Sequence, residues 1–254
     1  LTLKATYIGG PTLLLEWAGV RILTDPTFDP AGTQYAVLRK VAGPAFAADR
    51  AGRVDLVLLS HDQHADNLDT AGRAALERAG RVVTTAAGAG RLGGKAVGLA
   101  PWQSTELLGL RVTATPARHG PPGCEPVMGE VAGFVVERLE APGPALYVSG
   151  DTVWYEGVAE VARRFSIGVA VLHLGDAHVA VRGPHRLTMD AAEGVQAARA
   201  LRPRAVVPVH FEDWAHFQQG REAARKVFDA ADLPCPVVWL ERGVETPLPE
   251  PSGS

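Results

Sequence analysis

Four apolar runs in this chain each end, within a few residues, on a side chain that binds metal ions well: Val54 to Leu59 before Ser60-His61, Arg111 to Thr115 before His119, Ala145 to Ser149 before Asp151, and Ala205 to Val209 before His210. A buried strand delivers whatever follows its end to one edge of its sheet, so four such deliveries can meet at one place. Imidazoles and carboxylates meeting there would form a metal centre. The first delivery is the richest, because Ser60-His61-Asp62-Gln63-His64-Ala65-Asp66-Asn67-Leu68-Asp69 packs imidazole, carboxylate and amide groups into one strand-to-helix turn.

Behind these residues the sequence reads as strands first, then alternating helices and strands. Thr6 to Ile8, Thr12 to Glu16 and Val20 to Leu23 form a meander joined at Gly9-Gly10-Pro11 and Ala18-Gly19. Thr27 to Arg53 is a Pro- and Gly-containing surface excursion, expected to be partly helical over Tyr35 to Val41 and suited to cover a site. Asp69 is placed to cap a helix over Thr70 to Ala79, ended by Gly80. Strands return through Leu107 to Thr115 and Val131 to Val136. The chain then alternates: helix near Glu156 to Arg164, strand Gly168 to Leu172, helix near Asp190 to Leu201 with Thr188 as its cap, helix Gln218 to Ala230 and strand Val237 to Leu240. Two such halves, with helices outside facing sheets, give an α/β four-layered αββα sandwich. Residues 1–245 are expected to form a single domain and 246–254, rich in Pro and Ser, a disordered tail.

Composition narrows the function classes. A net charge of −3 from 25 basic and 28 acidic residues gives no polyanion-binding excess, so no nucleic acid is expected as a partner. Two distant cysteines, Cys124 and Cys235, lack zinc-ribbon or secreted-scaffold spacing and fit a reducing cytoplasm. No stretch approaches the roughly 20 apolar residues of a membrane span, and Leu1-Thr2-Leu3-Lys4 lacks the pattern of an export signal. The expectation is a cytoplasmic protein acting on a small molecule, without a membrane partner; homo-oligomers are left open.

The order of these pieces resembles the metallo-β-lactamase superfamily, and within it the cytoplasmic branch of ascorbate-phosphate lactonases and related metal-dependent hydrolases. The resemblance is carried by Tyr7-Ile8-Gly9, Thr24-Asp25-Pro26, Leu59-Ser60-His61 through Asp69, Ala117-Arg118-His119-Gly120, Ser149-Gly150-Asp151-Thr152 and Pro208-Val209-His210. It implies one or two divalent ions, with zinc as the first expectation and manganese or iron(II) as alternatives. His61, a second His of the same turn and His119 would hold one ion, Asp151 would bridge, and Asp66, the residue at Asn67 and His210 would hold the other. Two ions roughly 3.5–4 Å apart can share a hydroxide, lower its pKa and polarise a carbonyl or phosphoryl oxygen. The implied reaction is hydrolysis of an ester, lactone or phosphoester.

Several positions depart from the family's His-x-His-x-Asp-His turn. Here the pattern is His61-x-x-His64-x-Asp66-Asn67. Residues three apart share a side only where the backbone coils, so either His64 reaches the ion from a tight turn or Gln63 takes the place and binds through its amide oxygen. Asn67 stands where His is expected and is a poorer ligand, which predicts a weak, empty or differently filled second position. Asp66 could then orient the attacking water or shuttle a proton, and His185, just before the Asp190 helix, matches a substrate-side acid. Asp25 is suited to bond the far nitrogen of a ligand His, with a turn-forming role as the alternative. Trp154 and Tyr155 either line the pocket or pack in the core, and His216 reads as a surface residue. Asn67, Gly10 where relatives carry His, and the spacing at Gln63 also motivate a second class, a binding or scaffold protein that has lost turnover. A nuclease of the same superfamily ranks below both.

Overall fold

The computed structural model describes residues 2–250. The first sheet begins with the meander β1 (Leu3–Gly9), β2 (Thr12–Trp17) and β3 (Val20–Thr24). It continues in parallel through β4 (Leu56–Leu58), α1 (Thr70–Leu76), β5 (Arg81–Thr85), α2 (Ala86–Leu92) and β6 (Ala96–Leu99). The second sheet takes β7 (Ser104–Leu107) and β8 (Leu110–Pro116), then, after the short α3 (Glu125–Met128), β9 (Ala132–Arg138) and β10 (Ala145–Val148). It finishes with α4 (Glu156–Arg164), β11 (Ile167–His173), α5 (Ala191–Leu201), β12 (Ala205–Val209) and α6 (Arg221–Ala230). A last strand, β13 (Glu245–Leu248), returns to the first sheet beside β1.

The strand orders are β13-β1-β2-β3-β4-β5-β6 and β12-β11-β10-β9-β8-β7. Leu13, Leu15, Ile22 and Leu58 from the first sheet meet Val112, Phe134, Val148, Val171 and Val207 from the second in one buried cluster. On the outer faces, Ala71, Ala75 and Leu76 of α1 cover Leu23, Val57 and Val82, while Val158, Val161, Val195 and Phe228 of α4, α5 and α6 cover Tyr147, Ala170 and Val206. This is the expected αββα layering. The strands β10, β11 and β12 are buried along their whole length, which is why they read as continuous apolar runs. Pro208 is tolerated inside β12 because that strand lies at the end of its sheet's order, where a missing N–H breaks no central ladder.

Several boundaries differ from the sequence expectation. The segment expected to begin a disordered tail instead forms β13, with Leu3 opposite Leu248 and Lys4 opposite Pro247, because Leu248 fills the core; residues 251–254 lie outside those described. No helix forms over 35–41; the chain makes a tight turn there, with Leu38 N–H bonded to the Tyr35 carbonyl. Helix α2 and the short α3 were not anticipated, and Val237 makes only an isolated bridge to Val206 in place of a strand. The cap of α5 is Asp190, whose Oδ1 accepts the Glu193 N–H at 2.8 Å, while Thr188 is used between the Ala177 N–H and the Leu174 carbonyl. Asp190→Ala is expected to lower stability by about 1 kcal/mol in urea unfolding, the usual worth of such a cap.

Lys40 is the unexpected element of the 27–53 excursion. It is buried against Asp69, with Nζ 2.9 Å from Oδ2. Asp69 also accepts the N–H groups of Phe28, Asp29 and Gly72, so this one carboxylate caps α1 as expected and also fastens the excursion to the His-rich turn.

Candidate metal centre

The His-rich turn follows β4 directly, and Leu59 N–H continues the ladder to the Val83 carbonyl. The backbone then coils, with Asn67 and Leu68 N–H both bonded to the His64 carbonyl. That coil brings His64, and not Gln63, beside His61. His61 Nε2 and His64 Nδ1 lie 2.9 Å apart, and both rings pack edge-on or tilted against His119. Gln63 points away: it is exposed, its amide oxygen accepts the Asp62 N–H, and its amide nitrogen reaches toward the Glu130 carbonyl. Asp62 pairs with Arg91 of α2, which holds the turn from outside.

His61, His64 and His119 bring one donor atom each to within 4.8 Å of the others, and Asp66, Asp151 and His210 form a second such group. Asp151 lies between them, with Oδ2 at 3.8 Å from His119 Nε2 and 3.4 Å from His210 Nε2. Its placement depends on Gly150, where φ is +60° and a Cβ would come within 2.4 Å of the Ala132 carbonyl. His210 itself has φ +60°, a strained value for a non-glycine residue, held by its N–H bond to the Gly10 carbonyl.

The donor set fits a divalent ion. Asp151 Oδ2 and His210 Nε2 are fully buried and have no hydrogen-bond partner, an expensive arrangement unless a cation lies between such atoms. The ligand tautomers are also set. His119 Nδ1 lies 2.8 Å from the Leu187 carbonyl and His210 Nδ1 3.2 Å from the Leu174 carbonyl, so each Nδ1 carries a proton and Nε2 is the atom through which the neutral ring would bind an ion. His61 Nδ1 is held by Ser60 Oγ at 2.9 Å.

Electrostatics favour the same assignment. Burial, then the neighbouring His64, pushes His61 well below its ordinary range, leaving it neutral. Burial opposes ionisation of Asp151, but His210, His119 and His61 outweigh it and hold the carboxyl at about 2. Asp66 is likewise kept well below the carboxylate range, burial being outweighed by His210 and His216. Burial would lower His210, but Asp151 and Asp66 outweigh it and raise the imidazole to about 9. A metal ligand must be neutral, so occupancy at His210 displaces a proton below that pH. Metal affinity at this position is therefore expected to rise about tenfold per pH unit up to about pH 9 and to flatten above it, as read by titration calorimetry.

Other sequence expectations are redistributed. Asp25 does not touch a ligand His: Oδ1 accepts the Ser60 N–H at 2.7 Å and Oδ2 lies 3.1 Å from Nε2 of the buried His173. It thus fixes the backbone from which His61 projects. Asn67 is buried, with Nδ2 directed to Asp151 Oδ1 at 3.2 Å and Ser60 Oγ at 3.3 Å, so it orients the carboxylate. His185 is exposed beside Pro121, Pro122 and Cys124, in a depression apart from the donor groups. Trp154 and Tyr155 pack on the outer core of the second sheet. His216, read as a surface residue, is instead 3.0 Å from Asp66 Oδ2 through Nε2. Its location in an aromatic segment, Phe211 to Phe217, was the only trace of this in the sequence.

A narrow cleft opens onto the two groups. Its walls are Val37, Leu38, Met128, Ala177, Val179 and Leu187, and His64, Asp66, His119 and His216 form its polar side. The excursion supplies Val37 and Leu38, in keeping with its expected role over the site.

A family model described as the beta-lactamase superfamily domain matches residues 20–211. The chain belongs to this superfamily. A metal-dependent hydrolase of Opitutus terrae is 32% identical over 218 residues, covering 82% of this chain and 85% of the relative. Another, from Pyrococcus abyssi, is 28% identical over 251 residues, covering 96% and 99%. Among solved structures, a possible metal-dependent hydrolase from Veillonella parvula superposes with a TM-score of 0.85 at 19% identity, covering 98% of this chain and 100% of that one. An isothiocyanate hydrolase from Delia radicum gut bacteria gives 0.81 at 22%, covering 96% and 98%. The superfamily member described here is a metal-dependent hydrolase, with a candidate His and Asp site for the metal. Among the described residues no helix is long and apolar enough to cross a membrane.

Proposed function

We propose that this hydrolase cleaves a small, uncharged ester or lactone bearing an apolar substituent. The observation that carries this reading is the cleft itself: its walls are aliphatic, and among the described residues no Lys or Arg lines it. A phosphoester brings charged oxygens that recognition sites usually meet with Arg or Lys, so the lining here suits the uncharged members of the ester, lactone and phosphoester range better.

When bound, one or two divalent ions supply an acidified water and polarise the oxygen of the scissile group. The chain's own contribution is positional. Leu187 and Leu174 carbonyls aim His119 and His210, Ser60 aims His61, and the ionised Asp66 on the cleft wall and Asp151 buried behind it supply negative charge. The aliphatic walls keep bulk water from the reacting carbonyl and hold the substrate's substituent. Water adds to that carbonyl and the C–O bond breaks, giving an acid and an alcohol from an ester or a single hydroxy acid from a lactone.

The donor set of imidazoles and carboxylates supports zinc, with manganese or iron(II) compatible. The free thiols of Cys124 and Cys235 support a cytoplasmic location. The lactonase-like assignment is tested by a panel of short-chain aryl esters, γ- and δ-lactones, an aryl isothiocyanate and an aryl phosphodiester, each with zinc, manganese and iron(II). The expected result is a kcat/KM at least tenfold higher for an ester or lactone than for the phosphodiester. A preference for the phosphodiester contradicts the assignment.

A further inference from the structure

We propose that His216 is a ligand of the second metal position, supplying the imidazole that Asn67 does not. This rests on the metal-centre reading above and extends it to a residue outside the two donor groups already described.

Three observations converge. First, Asn67 turns its Nδ2 to Asp151 Oδ1 and keeps only its buried, unpartnered Oδ1 for an ion, a poorer ligand than an imidazole. The position therefore lacks the imidazole that the turn normally provides. Second, His216 Nε2 approaches Asp66 Oδ2 at 3.0 Å, and His210 Nε2 approaches the same oxygen at 3.6 Å. Ligands about 2.0–2.1 Å from a tetrahedral ion stand about 3.3 Å from one another, so both separations suit a shared ion. Third, His210 Nε2 and Asp151 Oδ2 are fully buried and unpartnered beside this oxygen.

His216 is also held for the task. It follows β12 and His210 in a loop where the Ala215 N–H bonds the Arg39 carbonyl and the Val41 N–H bonds the Asp213 carbonyl. Phe217 packs between the two imidazoles, with ring centroids 4.4 Å from His210 and 4.5 Å from His216. Asp66, Asp151, His210 and His216 then make a set of two carboxylates and two imidazoles, complete without Asn67. Such a mixed nitrogen and oxygen set suits zinc, manganese or iron(II).

The test is zinc uptake by metal-free protein, followed by titration calorimetry and by ion count in the dialysed protein. Wild type is expected to take two equivalents. His216→Ala and His216→Gln are expected to keep the first at unchanged affinity and to bind the second at least about 100-fold more weakly, since even groups that only support a ligand are worth 10–100-fold. Asn67→Ala, which removes a bond that orients Asp151, is expected to take both equivalents with the second weakened by less than in the His216 variants. In the unaltered chain, the second equivalent should shift the 15N resonance of His216 Nε2, a readout that needs no variant. A second equivalent bound with wild-type affinity in either His216 variant overturns the proposal. So does a His216 resonance indifferent to zinc, or loss of the second ion in Asn67→Ala with none in the His216 variants. A wild-type protein that takes up no zinc at all would instead overturn the metal-centre reading on which this depends.

Discussion

Asp151→Asn is expected to lower kcat/KM by on the order of 10³-fold while leaving the fold intact. The carboxylate is fully buried, lies against both donor groups, and remains ionised because His210, His119 and His61 outweigh its burial. The amide keeps the size and one acceptor for Asn67 but removes the negative charge that would balance the cations. Loss of several kcal/mol of transition-state stabilisation corresponds to that factor, at about 1.4 kcal/mol per tenfold. Initial rates on the preferred ester or lactone, with circular dichroism for the fold, measure it. A loss smaller than tenfold would place Asp151 outside the reacting centre.

Asp69→Ala is expected to cost about 4 kcal/mol or more in reversible unfolding. It strands the ammonium of Lys40, which is 1% exposed, and orphans three N–H groups at Phe28, Asp29 and Gly72. Breaking a buried pair by deleting one partner costs about 3–5 kcal/mol, and the lost helix cap adds about 1. Because the same residue fastens the excursion that carries Val37 and Leu38, the folded variant should also show a raised KM. Urea denaturation checks the first effect and steady-state kinetics the second. Stability within 1 kcal/mol of wild type would show that Lys40 finds another partner.

The layering and the main donors were legible because each rests on a local signal. Buried strands such as β11 and β12 are unbroken apolar runs, and the residue after each run is where it must be for the site. His61, His119, Asp151 and His210 could therefore be located from sequence and were brought together. The choice between Gln63 and His64 could not, since it depends on a coil at His64 that only the packed turn reveals. His216 was missed for a related reason: it reaches Asp66 from a loop whose path is set by bonds to Arg39 and Val41, long-range partners that leave no periodicity. Lys40 carried the opposite false signal. A charged residue in a Pro- and Gly-containing excursion reads as exposed, and its burial becomes intelligible only with Asp69 beside it. β13 was obscured by the prolines around it, although an edge strand tolerates them.

On the reading proposed above, His61, His64 and His119 jointly hold a divalent ion. Anomalous diffraction from zinc-loaded crystals, recorded on both sides of the zinc absorption edge, tests it most directly. A zinc peak is expected about 2.0–2.1 Å from His61 Nε2, His64 Nδ1 and His119 Nε2. Zinc-loaded crystals with no peak within bonding distance of those three nitrogens would contradict it.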